Sequence, residues 1–195
     1  MAKAKFVFAF GNGVAEGAGM SKDILGGKGQ GLMEMTRIGL PVPAGFTISI
    51  PACEEYYKAK RKLPKNIVDE VKTAVVKLEK MTGKKLGDAK DPLLVSVRSG
   101  AARSMPGMLE TILNLGLNDV SVQGLADKTD NPRFAYDSYR RFIQMYSTTA
   151  MGLSKEPMEE MLSEMKKKLG VKNDTELKAE DLKELCAEFK AFYKS

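Results

Sequence analysis

The fold is decided by residues 23–46, DILGGKGQGLMEMTRIGLPVPAGF, in which four glycines surround Lys28 and an amphipathic pattern follows at once. The apolar residues after the lysine recur at helical spacing, which predicts a helix over about residues 27–38. These apolar residues are Leu32, Met33, Met35 and Ile38. GLPVPAG ends this helix with its glycines and prolines, and GFTISI predicts a strand.

The glycines next to the lysine indicate a place where an anion can come close to the backbone. Gly26, Gly27, Gly29 and Gly31 leave little side-chain bulk, so amides at a helix N-terminus and the Lys28 ammonium can face a phosphate together. The motif is not a Walker A loop, because a glycine follows the lysine and the spacing differs. An equally good interpretation is that these glycines allow tight helix–strand packing while Lys28 points to solvent.

Strand and helix patterns also occur on both sides of this stretch. KFVFAF, residues 5–10, predicts a strand, and GNG predicts a turn rather than a dinucleotide-binding loop, because the glycines are spaced GxGxxxG. Pro51 suits the first residue of a short helix, and an amphipathic helix is predicted over residues 64–81, ending at Gly83. PLLVSVR, residues 92–98, predicts a buried central strand, and ETILNLGLN predicts another strand.

The pattern after residue 117 is helical throughout. A short helix and three longer segments of helical periodicity are predicted, each beginning at a residue that can cap a helix. These capping residues are Asp119, Asn131, Ser154 and Glu180 or a neighbour of it. We therefore predict an α+β fold in two parts, a mixed domain over residues 1–117 and a helical subdomain over residues 118–195.

A second candidate for anion binding is VRSGAARSMPGM, residues 97–108. Arg98 follows a buried strand in this prediction and must find an anion, and its forked guanidinium suits phosphate oxygens. The small residues behind it can turn backbone N–H groups toward a ligand. The alternative is an internal pair between Arg98 and a carboxylate, with an irregular loop beside it.

Composition excludes several other functions. The net charge of +6 is uneven, because residues 1–117 hold 18 Lys and Arg against 11 Asp and Glu. The basic run at residues 58–65 lacks interleaved aromatics and favours a solvated loop over nucleic-acid binding. Cys53 and Cys186 lack the spacing of a metal site or a disulfide framework. No apolar run is long enough for a membrane span or a secretory signal, so we expect a cytoplasmic protein.

Three segments of the chain resemble one known family. They are LGGKGQGLMEMTRIGLPVPAGFTIS, LLVSVRSGAARSMPGMLETILNLGLND and NPRFAYDSYRRFIQMYS, at residues 25–49, 93–119 and 131–147. Together they resemble the N-terminal, nucleotide-binding part of the pyruvate phosphate dikinases, an ATP-grasp-like module. The phosphoenolpyruvate synthases share the lysine and arginine segments more loosely.

The resemblance implies roles for particular residues. Lys28 and Arg98 match the catalytic residues that contact the phosphates of ATP in the family. The loop over residues 99–108 matches the one that covers the phosphate tail, and it supplies further binding residues. These are Ser99, Gly100, Ala101, Ser104, Met105 and Gly107. The implied reaction converts ATP, phosphate and pyruvate into AMP, pyrophosphate and phosphoenolpyruvate through a phosphorylated histidine.

The chain contains no histidine, so that phosphohistidine must lie elsewhere. The resemblance implies that Mg²⁺ and ATP are used, and that the metal ligands belong to a second ATP-grasp half outside this chain. The chain by itself is then expected to be inactive. Its expected partners are that second half, the phosphohistidine domain and the phosphoenolpyruvate/pyruvate barrel, with a homodimer for the whole enzyme.

Two alternatives remain open at this point. The chain can be a non-catalytic binding or regulatory module whose helical part docks onto a partner, and exposed apolar stripes on the last two helices would favour that interpretation. It can also be a piece of an enzyme similar to phosphoenolpyruvate synthase.

Overall fold

The computed structural model describes residues 4–101 and 110–194. These residues form two compact units. The first unit contains residues 4–83 and 99–101, and the second contains residues 84–98 and 110–194. The strands between residues 85 and 115 thus belong to the same unit as the helices that follow them. The sequence-based division between residues 117 and 118 stays a prediction. Among the described residues, no helix combines the length and apolar character needed to cross a bilayer.

The first unit is built on a three-stranded antiparallel sheet. Its strands are β1 (Val7–Gly11), β2 (Val14–Ala15) and β3 (Gly45–Ile48), with β1 in the centre. Asn12 and Gly13 connect β1 to β2, and both have positive φ, 48° and 77°. Asn-Gly is the preferred pair for such a tight hairpin turn. The prediction of a strand followed by a turn is confirmed.

Helix α1 (Lys22–Arg37) begins earlier than the sequence predicts. Its first turn is closed by hydrogen bonds from the amides of Ile24 and Leu25 to the Ser21 carbonyl. Gly26, with φ 71° and ψ 161°, then interrupts the helix, so a second helical segment begins at Gly27, where the helix was predicted to begin.

The apolar residues that mark the helical pattern of α1 do not all face the core. Met33 is buried, but Met35 and Ile38 are exposed to 39% and 59%. Leu25 and Met33 pack against Phe8 of the sheet. The opposite side of the helix, with Met35 and Ile38, is exposed to solvent.

Two further helices complete the first unit, α2 (Ile50–Lys58) and α3 (Lys65–Thr82). The short helix predicted at Pro51 is present, but it begins one residue earlier, at Ile50, so Pro51 is its second residue. Gly83 ends α3 with φ 69°, as predicted. These helices enclose a second small core against the sheet. Its buried members are Phe6, Val7, Ala52 and Ile67, with Phe46, Val71 and Ala74 packed around them.

Gly29 of α1 lies directly against Thr47 of β3. A Cβ atom at this position would lie 2.8 Å from Thr47 Cγ2, closer than real Cβ contacts, and 3.1 Å from Thr47 Oγ1, which is tighter than most of them. A Cβ atom at Gly27 or Gly31 would meet no atom within 4 Å in the part of the chain that the structure describes. Close helix–sheet packing therefore requires glycine at position 29, whereas the neighbouring glycines have open space.

The second unit contains two short two-stranded sheets. Strand β4 (Lys85–Leu86) pairs in parallel with β5 (Pro92–Leu93), and β6 (Val95–Arg98) pairs antiparallel with β7 (Thr111–Leu115). The prediction that residues 92–98 form one buried central strand is wrong. The run divides because its first part pairs with β4 and its second part with β7, and the β6 residue Val97 is 46% exposed.

The rest of the second unit is helical, as predicted. It comprises α4 (Ser121–Thr129), α5 (Pro132–Met145), a π-helical turn (Tyr146–Ala150), α6 (Glu156–Leu169), a 3-10 turn (Asp174–Glu176) and α7 (Ala179–Lys194). The apolar faces of α6 and α7 are covered within the unit. Their buried members are Met158, Met165, Leu182, Leu185, Cys186 and Phe189. The apolar stripes on these two helices thus pack into a core of their own unit.

The predicted helix caps are confirmed at one position and wrong at two. The Asn131 side chain accepts a hydrogen bond from the Phe134 amide at 3.0 Å and caps α5. The first amide of α4 is bound by Asn118 rather than by Asp119. Ser154 does not cap α6, because its hydroxyl bonds to the side chain of Glu156 instead. The Lys178 amide before α7 donates to Asp181, a neighbour of Glu180, at 2.8 Å.

Glu16 joins three parts of the first unit. Its Oε2 accepts hydrogen bonds from the Ala9 amide at 2.9 Å and from Lys5 Nζ at 3.0 Å, and its Oε1 accepts one from Lys77 of α3. Burial alone would raise the pKa of Glu16, but the donors of Ala9, Lys77 and Lys5 together outweigh it and lower the pKa from 4.5 to about 2. The ionised carboxylate therefore stabilises the folded state.

This pKa shift predicts a loss of stability in acid. As the pH falls from 4.5 to about 2, the unfolded chain takes up the proton first, and Glu16 loses a contribution of up to about 3 kcal/mol. Replacing the charge in Glu16→Gln should lower the free energy of unfolding near neutral pH by about 1–3 kcal/mol. The variant should also lose less stability than the wild type across that acid window in urea denaturation.

The control is Glu160→Gln, which removes an exposed carboxylate on α6. It should change neither the stability near neutral pH nor the acid profile. An acid profile of Glu16→Gln identical to that of the wild type would contradict the role assigned to this carboxylate.

The packing of Gly29 against β3 gives a second prediction. Gly29→Ala should lower the free energy of unfolding by about 1–3 kcal/mol, because the new methyl group overlaps Thr47. Gly31→Ala is the matched control on the same helix and should be neutral or stabilising by up to about 1 kcal/mol. Adding Thr47→Ala to Gly29→Ala should recover part of the loss, since both atoms in close contact are removed. Equal stabilities of the two glycine variants would refute this explanation.

Candidate functional site

The side chain of Lys28 joins the two sequence motifs within the first unit. Lys28 is exposed on α1, and its Nζ donates a hydrogen bond of 3.1 Å to the backbone carbonyl of Ser99. The glycine–lysine motif therefore lies against the beginning of the predicted phosphate loop. Sequence spacing did not predict this contact, because the two residues are 71 positions apart.

A second contact joins the same two segments through their backbones. The amide of Gly27 donates to the carbonyl of Ala101 at 3.1 Å. Gly26 lies beside the same residue, since a Cβ atom at Gly26 would be 3.4 Å from the Ala101 oxygen. Residues 26–28 thus bind the chain at residues 99–101 through one side-chain and one backbone hydrogen bond.

Arg98 belongs to the second unit, where it is the last residue of β6. Its side chain is exposed, and its Nε donates to Ser96 Oγ at 3.3 Å. Within the part of the chain that the structure describes, Arg98 forms no salt bridge with a carboxylate. The alternative of an internal Arg–carboxylate pair is therefore not observed among these residues.

Of the remaining predicted site residues, some are described by the structure and others are not. Gly100 is exposed, and a Cβ atom there would meet no atom of the described residues within 4 Å. Ser104, Met105 and Gly107 lie outside the described residues. Their place in the site stays a prediction.

The arrangement around Lys28 is suited to an anion rather than to a metal ion. An ammonium group carries three N–H donors, and the bond to Ser99 uses one of them. Lys28 also lies at the beginning of the second segment of α1, where the helix dipole contributes positive potential. Among the described residues, no group of three or more His, Cys, Asp or Glu side chains could hold a metal ion.

The glycines around Lys28 form one motif in the sequence, but they have different structural roles. Gly26 makes the break in α1, Gly29 allows contact with β3, and Gly31 has open space. The Gly26–Gly27 pair is a local signal for a break in a helix. No local signal identifies Gly29, because its contact with Thr47 comes from tertiary packing.

Comparison with curated proteins finds relatives over nearly the whole chain. The chain is 55% identical to the pyruvate, phosphate dikinase of Clostridium symbiosum over 98% of the chain and 21% of that protein. It is 49% identical to the enzyme of that name from Rhizobium meliloti over 96% of the chain and 21% of that protein. It is 52% identical to the chloroplastic pyruvate, phosphate dikinase 1 of Arabidopsis thaliana over 97% of the chain and 20% of that protein. A scan against models of known protein families gave no match.

The chain thus spans about one fifth of the length of these relatives. Identity of 49–55% over nearly all of its residues confirms the resemblance indicated by the three sequence segments. By this similarity, the chain is a homologue of one part of the pyruvate, phosphate dikinases.

Proposed function

We propose that this chain binds the phosphate groups of ATP as one part of a pyruvate, phosphate dikinase. The similarity to the curated dikinases supports the reaction class. The observation that carries the phosphate-binding role is the 3.1 Å hydrogen bond between Lys28 Nζ and Ser99 O. It joins the glycine–lysine motif to the segment that follows Arg98, and these are the two segments that the sequence assigned to phosphate.

Lys28 contributes positive charge and hydrogen-bond donors. Its exposed ammonium is held in position by Ser99, and its other N–H groups can bind phosphate oxygens. Preorganised donors of this kind stabilise charge that develops during phosphoryl transfer without a cost of reorganisation at the moment of reaction.

Arg98 contributes a planar fork of donors that matches two phosphate oxygens at once. Its exposure and its lack of a carboxylate partner among the described residues leave the guanidinium available to an anion. Ser99, Gly100 and Ala101 are proposed to offer backbone groups to the phosphate tail. Ser104, Met105 and Gly107 are assigned to the same loop by the family resemblance alone.

The proposed overall reaction forms AMP, pyrophosphate and phosphoenolpyruvate from ATP, phosphate and pyruvate. The phosphoryl group passes to a histidine outside this chain, whose sequence contains none. Mg²⁺ would neutralise phosphate charge in such a reaction, and the family resemblance supports the proposal that its ligands lie in another part of the enzyme. The other domains and the cytoplasmic location belong to the same proposal.

The proposal predicts the effect of removing the Lys28 ammonium from a complete dikinase that contains this segment. Lys28→Ala should reduce ATP-dependent formation of AMP and pyrophosphate by about tenfold or more, because a charge-assisted contact to phosphate is lost. The matched control is Lys22→Ala, which removes an exposed lysine from the first turn of the same helix. The control should keep turnover within about twofold of the wild type. Equal turnover of the Lys28 variant and the wild type would refute the role.

Arg98 is tested by comparing two substitutions in the same enzyme. Arg98→Ala should lower turnover by about tenfold or more, and Arg98→Lys should recover only part of it, since lysine restores charge without the bidentate fork. Calorimetric titration of MgATP into the present chain should give saturable binding that Arg98→Ala weakens. Full turnover of Arg98→Ala would show that this residue does not contact the phosphates.

A further inference from the structure

The break in α1 at Gly26 has a backbone conformation that glycine adopts and other residues avoid. Its φ of 71° and ψ of 161° fall in a region that is essentially restricted to glycine. Space is not the reason for glycine here, because a Cβ atom would make ordinary contacts of 3.4–3.7 Å with Ala101. The requirement is therefore one of torsion angles.

The break changes where the next amide donates its hydrogen bond. In a continuous helix, the amide of Gly27 would donate to the carbonyl four residues earlier. It donates instead to the carbonyl of Ala101, at 3.1 Å. One residue later, the Lys28 ammonium donates to Ser99, also at 3.1 Å. The donors of both bonds lie in the two residues directly after the bend. Both bonds reach the same short segment, residues 99–101.

We infer that Gly26 is a positioning residue, whose bend fixes the Ser99 and Ala101 carbonyls beside Lys28. Gly26 itself needs no contact with a ligand. It acts through the Gly27 amide, which holds one end of the segment, while Lys28 holds the other. This role rests on the proposed function, because residues 99–101 are the first residues of the predicted phosphate loop. Gly26 is not among the residues proposed to contact phosphate.

The first test measures the anchor without any nucleotide. A scalar coupling across the hydrogen bond, between the Gly27 amide nitrogen and the Ala101 carbonyl carbon, should be detected by NMR in the wild-type chain. Gly26→Ala should abolish this coupling, because alanine favours a helical torsion that returns the Gly27 amide to the helix. Gly31→Ala, with open space on the same helix, should retain it. Absence of the coupling in the wild type, or its retention in Gly26→Ala, would overturn the inference.

A second substitution covers the case in which Gly26→Ala fails to fold. D-alanine at position 26 favours positive φ and should preserve both the fold and the coupling. Such a chain can be made by joining a synthetic peptide of residues 1–52 to residues 53–195 at Cys53, a cysteine already in the sequence. Loss of the coupling with D-alanine as well as with L-alanine would overturn the torsional explanation.

The second test asks whether the anchor serves phosphate binding. In calorimetric titrations with MgATP, Gly26→Ala should weaken binding by about tenfold or more, whereas Gly31→Ala should stay within about twofold. Both variants should retain cooperative thermal unfolding. Unchanged MgATP affinity in a Gly26→Ala chain that has lost the coupling would refute the positioning role. If the wild-type chain binds no MgATP, the proposed function of this chain fails, and the coupling measurements alone decide whether Gly26 holds the segment.

Discussion

Two hydrogen bonds join the glycine-rich part of α1 to residues 99–101, and the candidate site depends on them. One comes from the Lys28 side chain and the other from the Gly27 amide. Both donors lie directly after the break of the helix at Gly26. The break places a positive side chain and the beginning of a loop next to each other, although 71 positions separate Lys28 from its partner. The backbone is held in place there before any ligand arrives, and this supports the proposal of a phosphate site.

The glycines of this motif illustrate how one local pattern serves separate physical needs. Gly26 is required for its torsion angles, and Gly29 is required because Thr47 of β3 occupies the space of a side chain. Gly31 meets neither constraint. The two interpretations left open by the sequence, phosphate approach and helix–strand packing, are therefore not exclusive. Packing at Gly29 fixes the helix on the sheet, and this holds Lys28 where it contacts Ser99.

Charge has a structural as well as a proposed functional use in the first unit. Glu16 collects donors from β1 and α3, and the resulting low pKa indicates a carboxylate that holds its surroundings together. Lys28 is the opposite case, because its ammonium donates a hydrogen bond to a neutral carbonyl, that of Ser99. Within residues 4–101 and 110–194, Lys28 forms no salt bridge with a carboxylate. A cation of this kind retains its attraction for anions, and this difference supports the proposal that Lys28 meets phosphate.

The sequence alone determined the features that depend on neighbouring residues. Asn-Gly chemistry fixed the first hairpin, Gly83 and Asn131 fixed helix ends, and periodicity identified the helices, because capping and torsional preferences act over a few residues. The long motifs around Lys28 also identified the relatives. Tertiary structure decided the rest. Which glycine packs against the sheet, and the division of residues 92–98 into two strands, depend on partners far along the chain. Local sequence cannot specify those partners, because burial and pairing are set only when distant segments meet.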